Sequence, residues 1–201
     1  FLLLFVSLIF FFSCNNNIVE EKKELLIYCG ITMVKPISEI AEIIEEEEDC
    51  NIIITKGGSG NLYRSISVNK VGDLYFPGSE SYIKTAVSEG YVIDTVHVGF
   101  NKAVMMVKKG NPLNIDNDLN NLLNPEYKVV IGNPYSGSIG KETKQILEKK
   151  GIMGEVCEKV CYYTTDSKDL ILSLKNNEAD IVINWFATST WNDNTEIIDI
   201  I

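Results

Sequence analysis

The sequence is poor in the residues that catalytic and metal sites use most. Among its 201 residues there is one histidine, His97, and the five cysteines form no CxxC pair. A zinc site needs a tighter group of ligands, and a serine–histidine–aspartate site would have to use His97. Because His97 lies between two valines in a strand-like run, we expect it on the face of a sheet. The sequence therefore predicts a protein that is not an enzyme and needs no cofactor.

Positive charge is also scarce. The chain has 18 lysines and arginines against 28 aspartates and glutamates, a formal net charge of −10. A nucleic-acid-binding domain is expected to carry a basic patch, so this class of partner is excluded. The acidic balance offers no long-range attraction to anions either. Any bound anion would have to be held by local dipoles and hydrogen bonds.

The cysteine pattern is compatible with several disulfide and metal-site interpretations. Cys29, Cys50, Cys157 and Cys161 can form zero, one or two disulfides, and spacing alone does not decide the pattern. Cys157 and Cys161 stand four residues apart, which would place two thiols on one helix face. A metal site there is the alternative to the simpler interpretation, in which these thiols are small hydrophobic side chains.

The chain opens with an apolar run, FLLLFVSLIFFF, that ends at Ser13 and Cys14. Twelve residues are too few for a membrane span of about 20, but they fit the roughly 7–15 residues of a signal-peptide core. Apolar residues, a small residue and then cysteine resemble a bacterial lipobox. We therefore predict a signal peptide at 1–14 with lipid on Cys14, a polar tether at 15–23, and an exported, anchored protein in the periplasm or at the cell surface. The alternatives are a plain signal peptide with an incidental cysteine, or a short core helix.

Both ends leave the extent of the chain open. No initiator methionine or basic segment precedes Phe1, so we expect further residues upstream. At the other end, the run IIDII either forms a final strand or continues past Ile201.

The body of the chain alternates strand-like and helical segments. Apolar runs of strand length occur at 25–29, 51–55, 73–76, 95–98, 103–107, 128–132, 162–164 and 179–185. Helical patterns follow most of these runs, but no helix separates the fourth run from the fifth. This order predicts an α/β protein of two lobes, each a mostly parallel sheet flanked by helices, with a two-stranded hinge between them.

Three loops that follow predicted strands are rich in glycine and hydroxyl residues: Gly30–Thr32, Gly57–Gly60 and Ser136–Gly140. Each opens a helix, where free amide groups and the helix dipole suit an anion. In open α/β sheets, ligands bind at the carboxyl ends of the strands, where these loops lie. The loops lack the Gly-Lys-Ser/Thr of a P-loop, and GGSGN does not match the G-x-S-x-G elbow. They therefore favour binding over catalysis.

The order of these segments resembles the molybdate-type periplasmic solute-binding proteins of ABC importers, over about residues 24–201. The likeness is carried by the strand, loop and helix at 27–41, GGSGNLYRSI, GDLY, VMMVKKGNP, VIGNPYSGSIG and NEADIVINWFAT. The resemblance implies a type II binding-protein fold with lobe I at 24–97 plus 186–201 and lobe II at 98–185. It also implies that neutral donors in the cleft hold a tetrahedral oxyanion.

The resemblance also implies a set of ligand-binding residues. By position they are Thr32, Gly58, Ser59, Ser138, Ile139, Ser167 and Trp185. Trp185 stands where the family has a tyrosine donor, and the first loop reads Cys-Gly-Ile-Thr in place of small residues and a serine. Because of these departures we expect molybdate or tungstate but keep another small anion open.

The implied partners are an ABC permease with its ATPase, and the membrane through the lipid anchor. We expect a monomer. Two other functions remain as alternatives: a lipoprotein that uses the same fold for sensing or host interaction, and a secreted hydrolase, although the nucleophile and base are missing.

Overall fold

The computed structural model describes residues 22–191 and 193–200 as two α/β lobes. The first lobe contains a parallel three-stranded sheet of order β2-β1-β3. Its elements in chain order are β1 (Lys23–Gly30), α1 (Val34–Glu48), β2 (Cys50–Gly57), α2 (Ser59–Asn69), β3 (Leu74–Phe76) and α3 (Glu80–Ser88). Each strand therefore ends at the edge of the sheet from which the next helix begins.

The second lobe contains a five-stranded sheet of order β6-β5-β7-β4-β8. Its elements are β4 (Ala103–Lys108), β5 (Val129–Gly132), α4 (Ser138–Lys150), α5 (Met153–Lys159), β6 (Tyr162–Thr164), α6 (Ser167–Lys175), β7 (Ile181–Trp185) and β8 (Thr195–Ile198). β5 runs parallel to β6 and β7, whereas β4 pairs antiparallel with β7 and β8. Three short 3₁₀ helices, Ile31–Met33, Leu119–Leu123 and Phe186–Trp191, complete the described elements.

The two lobes differ in how much apolar surface they bury. In the second lobe, β4 has five consecutive buried residues, Ala103–Val107, and helices α4 and α6 pack on the sheet around it. A strand with both faces buried reads as a continuous apolar run, as this one does. The core of the first lobe is centred on Tyr28, Leu62 and Ile66 and is much smaller. Most of the hydrophobic stabilisation of the described chain therefore comes from the second lobe.

Local signals explain where several helices begin and end. Ser79 caps α3 by accepting a hydrogen bond from the amide of Ser81, and Asp166 caps α6 through the amides of Lys168 and Asp169. α4 ends at Gly151, whose φ of 80° is a left-handed conformation that glycine adopts without strain. These local signals fix the start of α3, the start of α6 and the end of α4.

The predicted class, an α/β protein with parallel sheets flanked by helices, is confirmed. The strand predicted at 95–98 does not form, and residues 93–100 are exposed throughout. Ile93 and Phe100 are almost fully exposed, at 101% and 97%. A strand needs a neighbouring strand for its hydrogen bonds, and this segment has none within the described residues. His97 lies in this segment against the ring of Phe100, with centroids 4.6 Å apart, and takes no part in a sheet.

The sequence predicted that residues 186–201 return to the first lobe, but β8 pairs with β4 in the second sheet. Ile197 and Ile198 pack against the core of the second lobe, which is the larger apolar surface available to them. The last described strand therefore belongs to the second lobe.

The four cysteines among the described residues are free thiols. Cys29 is buried and burial raises its pKa to about 11, whereas Cys157 and Cys161 are exposed. Cys14 and the predicted signal peptide lie outside the described residues. Within residues 22–200 (apart from Asn192), every helix is too short or too polar to cross a membrane.

Candidate functional site

Three hydroxyl groups meet between the lobes at Gly78, in the loop that follows β3. The amide of Gly78 donates a hydrogen bond of 3.0 Å to Ser59 Oγ. A Cβ atom placed on Gly78 would lie 2.7 Å from Ser138 Oγ and 3.4 Å from Thr32 Oγ1. Thr32, Ser59 and Ser138 are 4%, 2% and 7% exposed, so the three hydroxyls share one buried position. The structure thus brings together one predicted residue from each of the three glycine-rich loops.

Trp185 joins the same group from the carboxyl end of β7. Its indole Nε1 donates a 3.2 Å hydrogen bond to Ser138 Oγ, and both residues are buried. The next residue back, Asn184, is fully buried and accepts a hydrogen bond from the amide of Trp185. The hydrogen bond to Ser138 holds the indole, and the bond to Asn184 holds the backbone of Trp185.

The helices that begin at the cleft have open N-termini. α2 begins after Gly58 and α4 after Gly137, and neither glycine offers a side-chain cap. The first amides of a helix have no partner inside the helix, and the helix dipole makes this end positive. In α4 these amides include those of Ser138 and Ile139. The side chain of Ile139 packs in the core of the second lobe, so only its backbone amide can face the cleft. Both starts can therefore offer backbone donors beside the hydroxyls.

The N-terminus of α2 lies directly against the second lobe. A Cβ on Gly58 would lie 3.0 Å from the carbonyl oxygen of Thr165 and 3.2 Å from that of Ser136. A Cβ on Gly60 would lie 2.7 Å from the same Ser136 oxygen and 2.8 Å from the hydroxyl of Tyr82. Only glycine allows backbone from the two lobes to approach this closely. The lobes are therefore closed on each other in this structure.

A cation and an aromatic ring also meet between the lobes. Lys141 Nζ, in α4, lies 5.0 Å from the centre of the Tyr82 ring, in α3. Burial raises the pKa of Tyr82, and the positive charge of Arg64 partly offsets this shift. Cation–π contacts of this kind contribute about 0.5–1 kcal/mol at exposed sites and more when desolvated. This contact stabilises the closed arrangement.

Ser167 is a predicted ligand-binding residue whose contacts are made to the protein itself. It is buried at the start of α6, and its carbonyl accepts a 3.0 Å hydrogen bond from Asn184 Nδ2. Asp166 already occupies the next two amides of that helix. Ser167 is therefore tied to the strand end that carries Trp185, and the role of its own amide as a ligand donor stays a prediction.

Gly78 and Tyr75 are two donors of the site that the sequence does not predict. Gly78 is not among the predicted site residues, although its position just after β3 places it at the same sheet edge as the other loops. Tyr75 donates a 2.8 Å hydrogen bond to the carbonyl of Ser59, and burial raises the pKa of Tyr75 far above its ordinary value. No sequence signal points to this bond, because a tyrosine in a strand is ordinary.

Among residues 22–191 and 193–200, no three histidine, cysteine or acidic side chains are grouped so as to hold a metal ion. The named contacts of the cleft are made by hydroxyls, amides and an indole. This arrangement of donors can bind an acceptor such as an anion.

Comparison with known sequences gives a family and distant relatives. The model of a family described as bacterial extracellular solute-binding protein matches residues 25–201. A Haemophilus influenzae protein named as a binding protein is 24% identical over 160 residues, which cover 80% of this chain and 65% of that protein. A Bacillus subtilis protein named as an ABC transporter substrate-binding lipoprotein is 25% identical over 145 residues, which cover 71% of this chain and 55% of that protein. The chain thus spans less than two thirds of the curated relatives it matches.

Solved structures of similar fold include proteins that are named for different ligands. The periplasmic molybdate-binding protein of Azotobacter vinelandii superposes with a TM-score of 0.65 at 15% identity, covering 87% of this chain and 85% of that chain. The sulfate-binding protein SubI of Mycobacterium tuberculosis superposes with a TM-score of 0.69 at 18% identity, covering 89% and 71%. At these identities the likeness shows the fold alone.

Proposed function

The chain belongs to the family of bacterial extracellular solute-binding proteins, and from this premise we propose that it captures a small tetrahedral oxyanion for an ABC importer. Molybdate and tungstate are the favoured ligands, and sulfate or another small anion of similar shape is the alternative. The protein acts by binding and carries out no reaction. Its partners are the membrane permease and the ATPase that drives transport.

The observation that carries this proposal is the convergence at Gly78. Hydroxyls from Thr32, Ser59 and Ser138 and the indole of Trp185 come from both lobes and meet at one buried position. All four groups are neutral. The hydroxyls can donate to an anion, whereas the single N–H of Trp185 is engaged by Ser138 and so positions that serine. An anion at this position would be surrounded by donors while the chain keeps its acidic net charge.

Closure of the lobes couples binding to transport in this proposal. The ligand enters while the lobes are apart, and its contacts to both lobes favour the closed form. Closure removes the anion from water, which strengthens each hydrogen bond to it. The permease then distinguishes the closed, liganded form from the open one by the relative position of the lobes.

Isothermal titration of the purified protein with molybdate, tungstate, sulfate and phosphate tests the proposal. We expect saturable binding of at least one anion, and we expect Thr32→Val to weaken it by roughly 10-fold because one hydroxyl donor is lost. Thr55→Val is the matched control, since Thr55 is exposed on β2. Absence of heat with all four anions would refute the oxyanion assignment.

We also propose that Cys14 carries lipid and holds the protein, as a monomer, beside its permease. The supporting observations are the Ser13-Cys14 pair and the lipoprotein name of the Bacillus subtilis relative. Tethering raises the effective concentration of the binding protein at the transporter. Labelling cells with a radioactive fatty acid should mark the wild-type protein and not Cys14→Ser, while equal labelling of both would refute the anchor.

A further inference from the structure

Two cations from opposite lobes meet at the ring of Tyr82, beside the cleft. Lys141, on α4 of the second lobe, places its Nζ 5.0 Å from the centre of this ring. Arg64 is on α2 of the first lobe, and α2 packs against α3, the helix that carries Tyr82. Burial raises the pKa of Tyr82 and the charge of Arg64 partly offsets this shift, so Arg64 acts on the same side chain. The two cations therefore stand on the two sides of the seam between the lobes.

The spacing of residues along each helix links these cations to the cleft. Lys141 follows Ser138 by three residues, and residues three or four apart share one face of a helix. Arg64 follows Gly60 by four residues, and a Cβ on Gly60 would lie 2.8 Å from the Tyr82 hydroxyl. Ser138 is buried, Lys141 is half-buried and Arg64 is exposed. The cations therefore lie between the buried donors and the solvent.

No carboxylate is paired with either cation within the part of the chain that the structure describes. Helix α2 contains no acidic residue. On the two neighbouring helices, Glu80 pairs with Lys84 at 2.9 Å and Glu148 pairs with Lys144 at 3.7 Å. The field at the seam is therefore locally positive, although the whole chain has a formal net charge of −10.

We propose that Arg64 and Lys141 form an electrostatic entry site that draws a small oxyanion into the open cleft. The inference rests on the proposed function, because it assumes that an oxyanion binds here. When the lobes are apart, one cation stands on each lip of the cleft, so an approaching anion is attracted from both sides. The net negative charge repels anions at long range, and this local positive field offsets the repulsion. The two cations increase the rate of capture, while the neutral donors hold the bound anion.

The association rate constant tests this proposal. Molybdate and sulfate are the probes, and stopped-flow fluorescence follows binding through Trp185, whose indole lies at the cleft. A unit charge roughly 7 Å from a dianion in water at about 0.1 M salt changes the rate about 3-fold. We therefore expect Arg64→Gln and Lys141→Gln each to slow association about 3-fold. The difference from the wild type should disappear near 1 M salt, where the Debye length is about 3 Å.

Two further variants separate charge from packing and from position. Arg64→Lys keeps the positive charge and should retain the wild-type association rate. Lys149→Gln removes an exposed charge about 12 Å farther along α4, so it should change the rate by less than about 1.3-fold. Lys141→Gln should also speed dissociation, because it loses the contact with Tyr82. Arg64→Gln should act mainly on association.

The outcomes separate this proposal from the one on which it rests. Wild-type association rates in both glutamine variants at the seam, or an equal loss in Lys149→Gln, would overturn the entry site alone. An equal loss in Arg64→Lys and Arg64→Gln would show that Arg64 acts by packing, and would also overturn it. If the melting transition shows that Lys141→Gln does not fold, the variants of the exposed Arg64 decide. If calorimetry detects no anion binding to the wild-type protein, the proposed function fails and the entry site fails with it.

Discussion

Replacing Gly78 with alanine is the sharpest test of how the lobes meet. The backbone conformation of Gly78 is one that alanine can adopt, so the substitution adds only a methyl group. That methyl carbon would lie 2.7 Å from Ser138 Oγ, about 0.7 Å closer than the 3.4 Å at which ordinary contact begins. The clash can be relieved only if Ser138 turns away from Trp185 or the lobes move apart.

Either response removes a donor from the ligand. Hydrogen bonds to charged groups are worth about 1.5–3 kcal/mol, so we expect Gly78→Ala to weaken anion binding roughly 10- to 150-fold. The folded state of the free protein should change less, because the two lobes can open to avoid the clash. The variant is therefore expected to lose affinity while it keeps a melting temperature close to that of the wild type.

Titration calorimetry and thermal unfolding of the two proteins measure these effects. Gly154→Ala is the matched control, because Gly154 lies in α5 with nothing within 4 Å of the added methyl group. It should leave affinity unchanged and stabilise the helix by about 0.5–1 kcal/mol. If Gly78→Ala binds the anion as tightly as the wild type, the hydroxyls do not converge at Gly78 in the bound protein.

Three further predictions follow from contacts around the cleft. Tyr75→Phe should lower the free energy of unfolding by about 0.5–1.5 kcal/mol, because the carbonyl of Ser59 at the start of α2 loses the hydroxyl that donates to it. Chemical denaturation measures this change, and an unchanged midpoint would contradict the prediction. Lys141→Met should weaken ligand binding several-fold, since its contact with the ring of Tyr82 joins the lobes. Tyr82→Leu should have a similar effect in the same calorimetric assay. Unchanged affinity in both variants would show that this contact does not stabilise the closed form. Burial raises the pKa of the Cys29 thiol to about 11, so at pH 8 the thiol stays protonated and should be alkylated far more slowly than that of the exposed Cys157. Peptide mass spectrometry after timed alkylation measures both rates. Equal rates would contradict the burial of Cys29.

The regular elements could be predicted because their signals are local. The apolar runs that became β1, β2, β5 and β7 and the helical spacing in α1 and α4 depend on neighbours in sequence. The strand expected at 95–98 has the same alternation of apolar residues, yet it does not form. Alternation shows that a segment could pair, but pairing needs a partner, and the partner is not encoded within the segment. For the same reason the sequence places residues 186–201 with the first lobe, whereas β8 pairs with β4 in the second.

The composition and loops of the sequence by themselves determined what kind of chemistry this protein can offer. One histidine, a net charge of −10 and three glycine- and hydroxyl-rich loops already favour binding by neutral donors over catalysis. Folding alone brings these donors together at one position. Ser59 and Gly78 are 19 residues apart and Ser138 and Trp185 are 47 apart, so no local pattern records either hydrogen bond. A hydroxyl has one proton and two lone pairs, so the neighbours that folding brings to it determine which hydrogen bonds it makes.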